Sequence, residues 1–144
     1  MTDTHDLQPD SIAAGAMRAA ASVRGLRDVA NLRQAASLLI DGAMAAGCHT
    51  LVTANAAAES LVTAATLISD GRLKSVERRD TGGQKVLIVD AATVTGNNTR
   101  ACAAELRGCG AAWVGAVIFH RTRPDLDELD ADPLLDYVAT LQVP

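Results

Sequence analysis

The polar residues that follow the apolar run at positions 86–89 are the strongest candidates for chemistry in this sequence. Asp90 leaves the run as a carboxylate, a group suited to accept hydrogen bonds from two adjacent hydroxyls. Residues 95–99 are small, polar and include Gly96, and they open a predicted helix. Because backbone N–H groups and hydroxyls at a helix N-terminus bind phosphate, the pattern predicts a ribose 5-phosphate site.

The same residues also have a purely structural interpretation. Asp90 would then merely end a strand, and Asn97 or Asn98 would merely cap a helix. Both interpretations place the segment beyond the carboxyl end of a buried strand, where ligands bind in open α/β sheets.

The elements around this segment predict an α/β protein with a parallel sheet flanked by helices. Residues 86–89 are uniformly apolar, as in a strand buried on both faces, and strands alternate with helical patterns along the chain. The predicted helices cover residues 12–23, 31–46, 55–69 and 99–107, and the predicted strands cover residues 49–53, 73–78, 86–89 and 112–119. Asn31 and Gln34 resemble a capping box at the start of the second helix.

Length, charge and cysteine content limit the class of protein. The 144 residues suffice for one domain, which we place at residues 11–144 after a disordered segment at 1–10. Residues 124–144 hold six acids and no base, which predicts a solvated acidic tail. With a net charge of −4, nucleic acid is not expected as a partner. The lack of a long apolar run argues against a membrane, and three cysteines without CxxC spacing favour the cytoplasm.

The segment at 86–99 resembles the signature of type I phosphoribosyltransferases. That signature has four apolar residues, two acids, a short spacer, Thr-Thr-Gly, a small residue and then Thr or Ser. The likeness extends over roughly residues 32–121 and includes the following helix and the next strand, with His120-Arg121 where orotate-type members often have Asp-Arg. It implies a phosphoribosyltransferase-like, Rossmann-like fold with a reduced hood, the small subdomain that reads the base.

The resemblance also implies roles for individual residues. Asp90 would bind the ribose hydroxyls and serve as the catalytic residue. The residues expected to bind the ribose and its 5′-phosphate are Asp90, Thr93, Thr95, Gly96, Asn97, Asn98 and Thr99. An active enzyme would use phosphoribosyl pyrophosphate and Mg²⁺. The expected partner is a ribose phosphate or nucleotide, and apolar surface left by the reduced hood favours a homodimer.

The sequence departs from the family pattern in four places. The second acid is Ala91, and Asn98 stands where the signature has Thr or Ser. The pyrophosphate loop is degenerate, because Asn55, Ala56, Ala57 and Ala58 replace the paired glycines that let N–H groups approach pyrophosphate. Only six residues, 79–84, remain where members have a mobile lid. Residues 134–138 are all that suggests a hood.

Two functions therefore stay open, a minimal phosphoribosyltransferase and a non-catalytic nucleotide sensor or interaction module of the same fold. Tyr137 is a candidate to stack on the base, with plain packing as its alternative. A receiver-like domain phosphorylated on Asp90 is a third candidate, although no acidic pair precedes a strand. His49, His120, Cys102 and Cys109 lack zinc-site spacing, so we expect no metal site there.

Overall fold

Short β-branched and aliphatic segments alternate with alanine-rich helices, and this alternation builds one parallel sheet. The computed structural model describes residues 28–141. The strands are β1 (Thr50–Thr53), β2 (Lys74–Ser75), β3 (Lys85–Asp90), β4 (Trp113–Ile118) and β5 (Tyr137–Thr140). The helices are α1 (Val29–Ala46), α2 (Glu59–Ile68) and α3 (Asn97–Gly108), with 3₁₀ turns at Ala56–Ala58 and Arg78–Asp80.

All strand pairs are parallel, and the sheet order is β2-β1-β3-β4-β5. The order reverses between β1 and β3, which places a topological switch point, the usual ligand site of such sheets, at their carboxyl ends. β3 lies at the centre, and every residue after Lys85 in this strand is buried. Its last residue, Asp90, is therefore held rigidly at the switch point.

Two apolar layers cover the sheet. On one face α1 and α2 bury Leu39 and Leu61 against residues of β1 and β3. On the other face α3 buries Leu106 against Val86 and Ile88 of β3. The predicted parallel α/β sheet with helices on both faces is thus confirmed. Among residues 28–141, no helix is both long and apolar enough to cross a bilayer.

The start of α1 differs from the sequence prediction. Asp28, rather than Asn31, is the N-cap, and its carboxylate accepts from the backbone N–H groups of Ala30 and Asn31 at 2.9 and 3.3 Å. A carboxylate stabilises the positive end of the helix better than the predicted amide does. The helix predicted over residues 12–23 and the disordered segment predicted at 1–10 lie outside the described residues.

The acidic C-terminal tail is a correction to the sequence prediction. The return segment (residues 119–136), which joins β4 to β5, is packed against the domain, with Asp127 and Leu129 fully buried. Its acids pair with arginines of the same chain, including Arg107 and Arg121. The chain then forms β5, a fifth strand that the sequence pattern missed. Residues 137–140 are thus part of the sheet, and residues 119–136 are a packed connection to it rather than a solvated tail.

The strand predicted over residues 73–78 is shorter in the structure, and the β2–β3 link (residues 76–84) takes up its second half. β2 holds only two residues, since the chain turns into a 3₁₀ helix at Arg78–Asp80. Thr81 is fully buried, and the Gly83 N–H donates to the Gly110 carbonyl at 2.8 Å. Because β1 separates β2 from β3, the link is not a hairpin; it is a packed connection back to the start of β3.

Candidate functional site

Asp90 lies at the switch point as predicted, but its carboxylate is completely enclosed. Its side chain has no solvent exposure. Oδ1 accepts from Nδ2 of Asn55 at 2.9 Å and from the N–H of Ala92 at 3.0 Å. Oδ2 accepts from the Thr99 hydroxyl at 2.6 Å. Because the carboxylate has no exposed surface, a ribose hydroxyl can reach it only if the surrounding atoms move.

The electrostatics of Asp90 follow from this burial. Loss of water raises the pKa of the carboxyl above its usual value, and hydrogen bonds from Thr99, Asn55 and Ala92 oppose the rise. In this geometry Asp90 joins the turn after β1 to the first turn of α3. An enclosed carboxylate also cannot serve as the phosphorylated aspartate of a receiver domain.

The β3–α3 turn (residues 93–99) presents a polar surface beside this anchor. Thr95, Asn97 and Asn98 are exposed, whereas Thr93, Gly96 and Thr99 are buried. The turn is internally braced, since the Gly96 N–H donates to the Thr93 hydroxyl at 2.8 Å. Among residues 28–141, no acceptor pairs with the backbone N–H of Asn98 or of Thr99. The seven residues predicted to bind the ribose and its 5′-phosphate thus lie together at the carboxyl end of β3, where four of them are buried: Asp90, Thr93, Gly96 and Thr99.

The charge around the β3–α3 turn favours an anion. The first turn of α3 carries no acidic residue. Arg100 lies directly behind it and donates from Nη2 to the Asn97 side-chain oxygen at 2.7 Å and to the Thr95 carbonyl at 3.2 Å. Nη1 of Arg100 also lies 3.9 Å from Oε2 of the exposed Glu128, so the guanidinium and the positive end of the helix act at the same place beside one nearby carboxylate.

The β1–α2 turn (residues 54–59) lies next to it and has the opposite character. Asn55 directs its amide inward to Asp90, and its side-chain oxygen accepts from the Ala58 N–H at 3.2 Å. Ala56–Ala58 form a 3₁₀ turn, so methyl groups stand where close approach to a ligand would need glycine. The first residue of the following helix is Glu59, an acid.

A cavity of about 700 Å³ opens beside the β1–α2 turn. Three carboxylates line it, those of Glu59, Glu77 and Glu105, together with Arg78 and Arg79. Arg78 is already committed, because it pairs with Glu105 at 2.6 Å and donates to the Thr53 carbonyl at 2.9 Å. The remaining charges are net negative, which is unfavourable for a diphosphate.

Tyr137 is not brought to this site. It is the first residue of β5, and its ring lies 6.1 Å from that of Trp113. Trp113 pairs in register with Lys85, the first residue of β3. It therefore lies at the amino end of the strands, whereas Asp90 lies at their carboxyl end. The predicted base-stacking role is therefore replaced by packing between neighbouring strands.

The donor set at the switch point does not fit a protein-held magnesium ion. Both carboxylate oxygens of Asp90 are used by hydrogen bonds within the chain. Within the described part of the chain, no three His, Cys, Asp or Glu residues are grouped so that they could hold a metal. Cys102 is buried, which raises the pKa of its thiol to about 11 and makes it a packing residue.

Sequence reasoning missed the partners of the predicted residues. Asn55 was assigned to a degenerate pyrophosphate loop, yet its amide holds Asp90 across a separation of 35 residues. Arg78 and Arg100 were not singled out as partners of these turns. The contact between Asn55 and Asp90 could have been predicted, because β1 and β3 are parallel neighbours and the residues that follow them meet at the carboxyl end of the sheet.

Comparison with known proteins agrees with the fold. No protein-family profile and no curated protein sequence matches the chain. The glutamine phosphoribosylpyrophosphate amidotransferase of B. subtilis, solved with ADP and GMP, is similar with a TM-score of 0.56 and 17% identity over 79% of this chain. The hypoxanthine phosphoribosyltransferase of Trypanosoma cruzi has a TM-score of 0.48 and 16% identity, covering 84% of this chain and 78% of that one.

The extent of these matches limits what they show. The chain spans only 36% of the length of the amidotransferase. At such low sequence identity the likeness shows the fold alone. The chain therefore has a phosphoribosyltransferase-like fold, built on a parallel five-stranded sheet with helices on both faces.

Proposed function

We propose that this chain binds the 5′-phosphate of a ribose, in ribose 5-phosphate or in a nucleoside monophosphate, and does not transfer the phosphoribosyl group. The observation that carries the proposal is the pair of backbone N–H groups, on Asn98 and Thr99, without acceptors among the described residues. They lie at the start of a helix whose first turn has no acid and beside the guanidinium of Arg100.

The proposal leaves out transfer because the groups that transfer needs are occupied or replaced. Transfer develops positive charge on the sugar, so it needs a positioned pyrophosphate leaving group and a site closed to water. Here alanines replace glycines in the β1–α2 turn, and Arg78 is neutralised by Glu105. Asp90, the expected catalytic carboxylate, is used as an internal anchor.

The test is a thermal shift measurement with ribose 5-phosphate, AMP and UMP, beside phosphoribosyl pyrophosphate with Mg²⁺. A ligand at about 100 times its Kd adds roughly 2.7 kcal/mol. For a chain of this size, that stabilisation corresponds to about 5–10 °C in Tm. We expect the monophosphates to give this shift and the pyrophosphate compound to give no larger one.

A charge variant ties the shift to the proposed turn. Asn98→Asp keeps the shape of the side chain and favours the helix N-terminus, so the free protein should stay folded, but the added charge should abolish the shift. The control is Ala30→Asp, which adds the same charge in the first turn of α1. An equal shift in both variants would contradict the proposal. Pyrophosphate release in the presence of nucleobases would show that transfer survives.

The predicted homodimer also remains a proposal. Leu67 and Ile68 lie side by side at the end of α2 and are 75% and 46% exposed. These exposed apolar side chains are the candidates on α2 for a contact between copies of the chain. Sedimentation of wild type and of a Leu67→Lys variant would test it, since a dimer through this surface should become a monomer.

A further inference from the structure

The return segment, in addition to the sheet, holds the β3–α3 turn in place through backbone hydrogen bonds. The Thr93 N–H donates to the His120 carbonyl at 2.8 Å, and the Thr122 N–H donates to the Thr93 carbonyl at 3.0 Å. Thr93 and Arg121 form an isolated parallel bridge beyond the ends of the strands. The two loops therefore run side by side where the candidate site lies.

Gly96 is the second point of contact between them. Its φ is +75°, a left-handed conformation, and a Cβ at this position would lie 2.6 Å from the Asp127 carbonyl oxygen. Leu129, fully buried, lies 3.2 Å from the same point. The backbone of the return segment thus packs directly against Gly96, the residue that precedes α3.

A buried ion pair fixes the return segment at this contact. Arg121 donates from Nη2 to Oδ1 of Asp127 at 2.7 Å and from Nε to Oδ2 at 2.9 Å. The Arg121 side chain is 8% exposed and that of Asp127 is fully buried. Oδ1 of Asp127 also accepts from the Leu129 N–H at 3.1 Å. The carboxylate therefore holds both the arginine and the local backbone turn.

Such a pair contributes little to the folding free energy, because the desolvation of two charges offsets most of their attraction. Its value here is geometric. The bidentate fork allows one relative orientation of residues 121 and 127, and the return segment has no helix to impose that orientation.

We propose that Arg121 and Asp127 are positioning residues for phosphate binding. They hold the return segment against Gly96 and so set the direction of the Asn98 and Thr99 N–H groups. This inference rests on the proposed function, but the position of the turn can be measured without any ligand.

The experiment compares Arg121→Lys with Arg107→Lys. Lysine keeps the charge but cannot make the bidentate contact. Arg107 pairs with Asp136 of the same return segment and does not touch the β3–α3 turn, so the same substitution there is the matched control. Hydrogen exchange of the Thr93, Gly96 and Arg100 amides is measured in the free protein, and affinity for ribose 5-phosphate is measured by calorimetry.

We expect Arg121→Lys to speed exchange of these three amides by about tenfold, with the β3 amides unchanged. Affinity for ribose 5-phosphate should fall by about tenfold. Arg107→Lys should change neither quantity. Unchanged turn amides, or faster amides with unchanged affinity, would overturn the proposal.

Two further outcomes keep the result interpretable. If wild type binds no ribose phosphate while Arg121→Lys still loosens the turn, the proposed function fails and the mechanical link between the segments stands. If Arg121→Lys does not fold, the double variant Arg121→Gln with Asp127→Asn removes both charges and keeps side-chain hydrogen bonding. The same amide comparison then decides the question.

Discussion

The two turns that follow β1 and β3 start from adjacent strands and end in helices, yet they are built for different purposes. The β3–α3 turn faces outward with exposed polar side chains and no acid at its helix start. The β1–α2 turn directs its amide inward, presents alanine methyls and begins its helix with Glu59. The contrast shows that two turns at the same end of the sheet can differ in role, with the β1–α2 turn acting as internal support and the β3–α3 turn leaving its polar groups exposed.

The connection between the two turns is the carboxylate of Asp90. It receives Asn55 from one turn and Thr99 from the other. The carboxylate therefore joins the two turns to each other. Under the proposed function, this division would let phosphate binding persist without transfer.

The largest effect is expected from a methyl group at the rigid turn. Gly96→Ala adds a Cβ 2.6 Å from the Asp127 carbonyl at a φ of +75°, so steric clash and backbone strain should cost about 3 kcal/mol of unfolding free energy. Urea denaturation measures it. Gly108→Ala, in the same helix with open space around its Cβ, should be neutral or slightly stabilising. Equal stabilities would show that the β3–α3 turn is not held tightly.

A second prediction compares the same substitution in both turns. Asn55→Ala removes one hydrogen bond to a buried carboxylate and the cap of a 3₁₀ turn, and should cost about 2 kcal/mol. Asn98→Ala removes an exposed side chain and should cost less than about 0.5 kcal/mol. Thermal denaturation measures both. A reversed order would contradict the assignment of the β1–α2 turn as support.

The smallest effect concerns the pH dependence of stability. Because burial raises the pKa of Asp90, the folded state holds this proton more tightly than the unfolded state does. The contribution of Asp90 to stability is therefore greatest below its unfolded pKa, and it is lost as the pH rises through the higher folded value. Asp90→Asn cannot titrate, so this variant should lack that decline.

The measurement is the unfolding free energy of wild type and Asp90→Asn across the acid range. We expect the difference between them to favour wild type most at low pH. At neutral pH the difference should shrink to less than about 1.5 kcal/mol, because the amide can keep hydrogen bonds in place of the carboxylate. A pH-independent difference would contradict the raised pKa.

The sequence predicted the parts of the fold that depend on local pattern. The apolar run of β3, the polar turn after it and the helix that follows are all present near their predicted bounds. β5 was missed because Tyr137–Thr140 is only four residues long and follows a stretch rich in acids. Its strand character comes from pairing with β4 rather than from its own composition.

The candidate site was predicted in position but not in its contacts. Parallel topology is enough to bring Asp90 and the β3–α3 turn to the carboxyl end of the sheet. The burial of Asp90 depends on Asn55 and Thr99, which lie 35 and nine residues away in the chain. Likewise, composition assigns Asp127 to an acidic tail, whereas its burial depends on a bidentate ion pair with Arg121.

The packed β2–β3 link has a consequence for the rate of ligand exchange. Thr81 is buried and Gly83 is bonded to Gly110, so these contacts would have to break before the link could close over a bound molecule. Phosphate arrival at the β3–α3 turn would then be a single diffusive step. In stopped-flow mixing, the observed rate should rise linearly with ligand concentration and show no plateau. If the β3–α3 turn binds phosphate as proposed, its occupancy would follow the ligand concentration without a separate closing step.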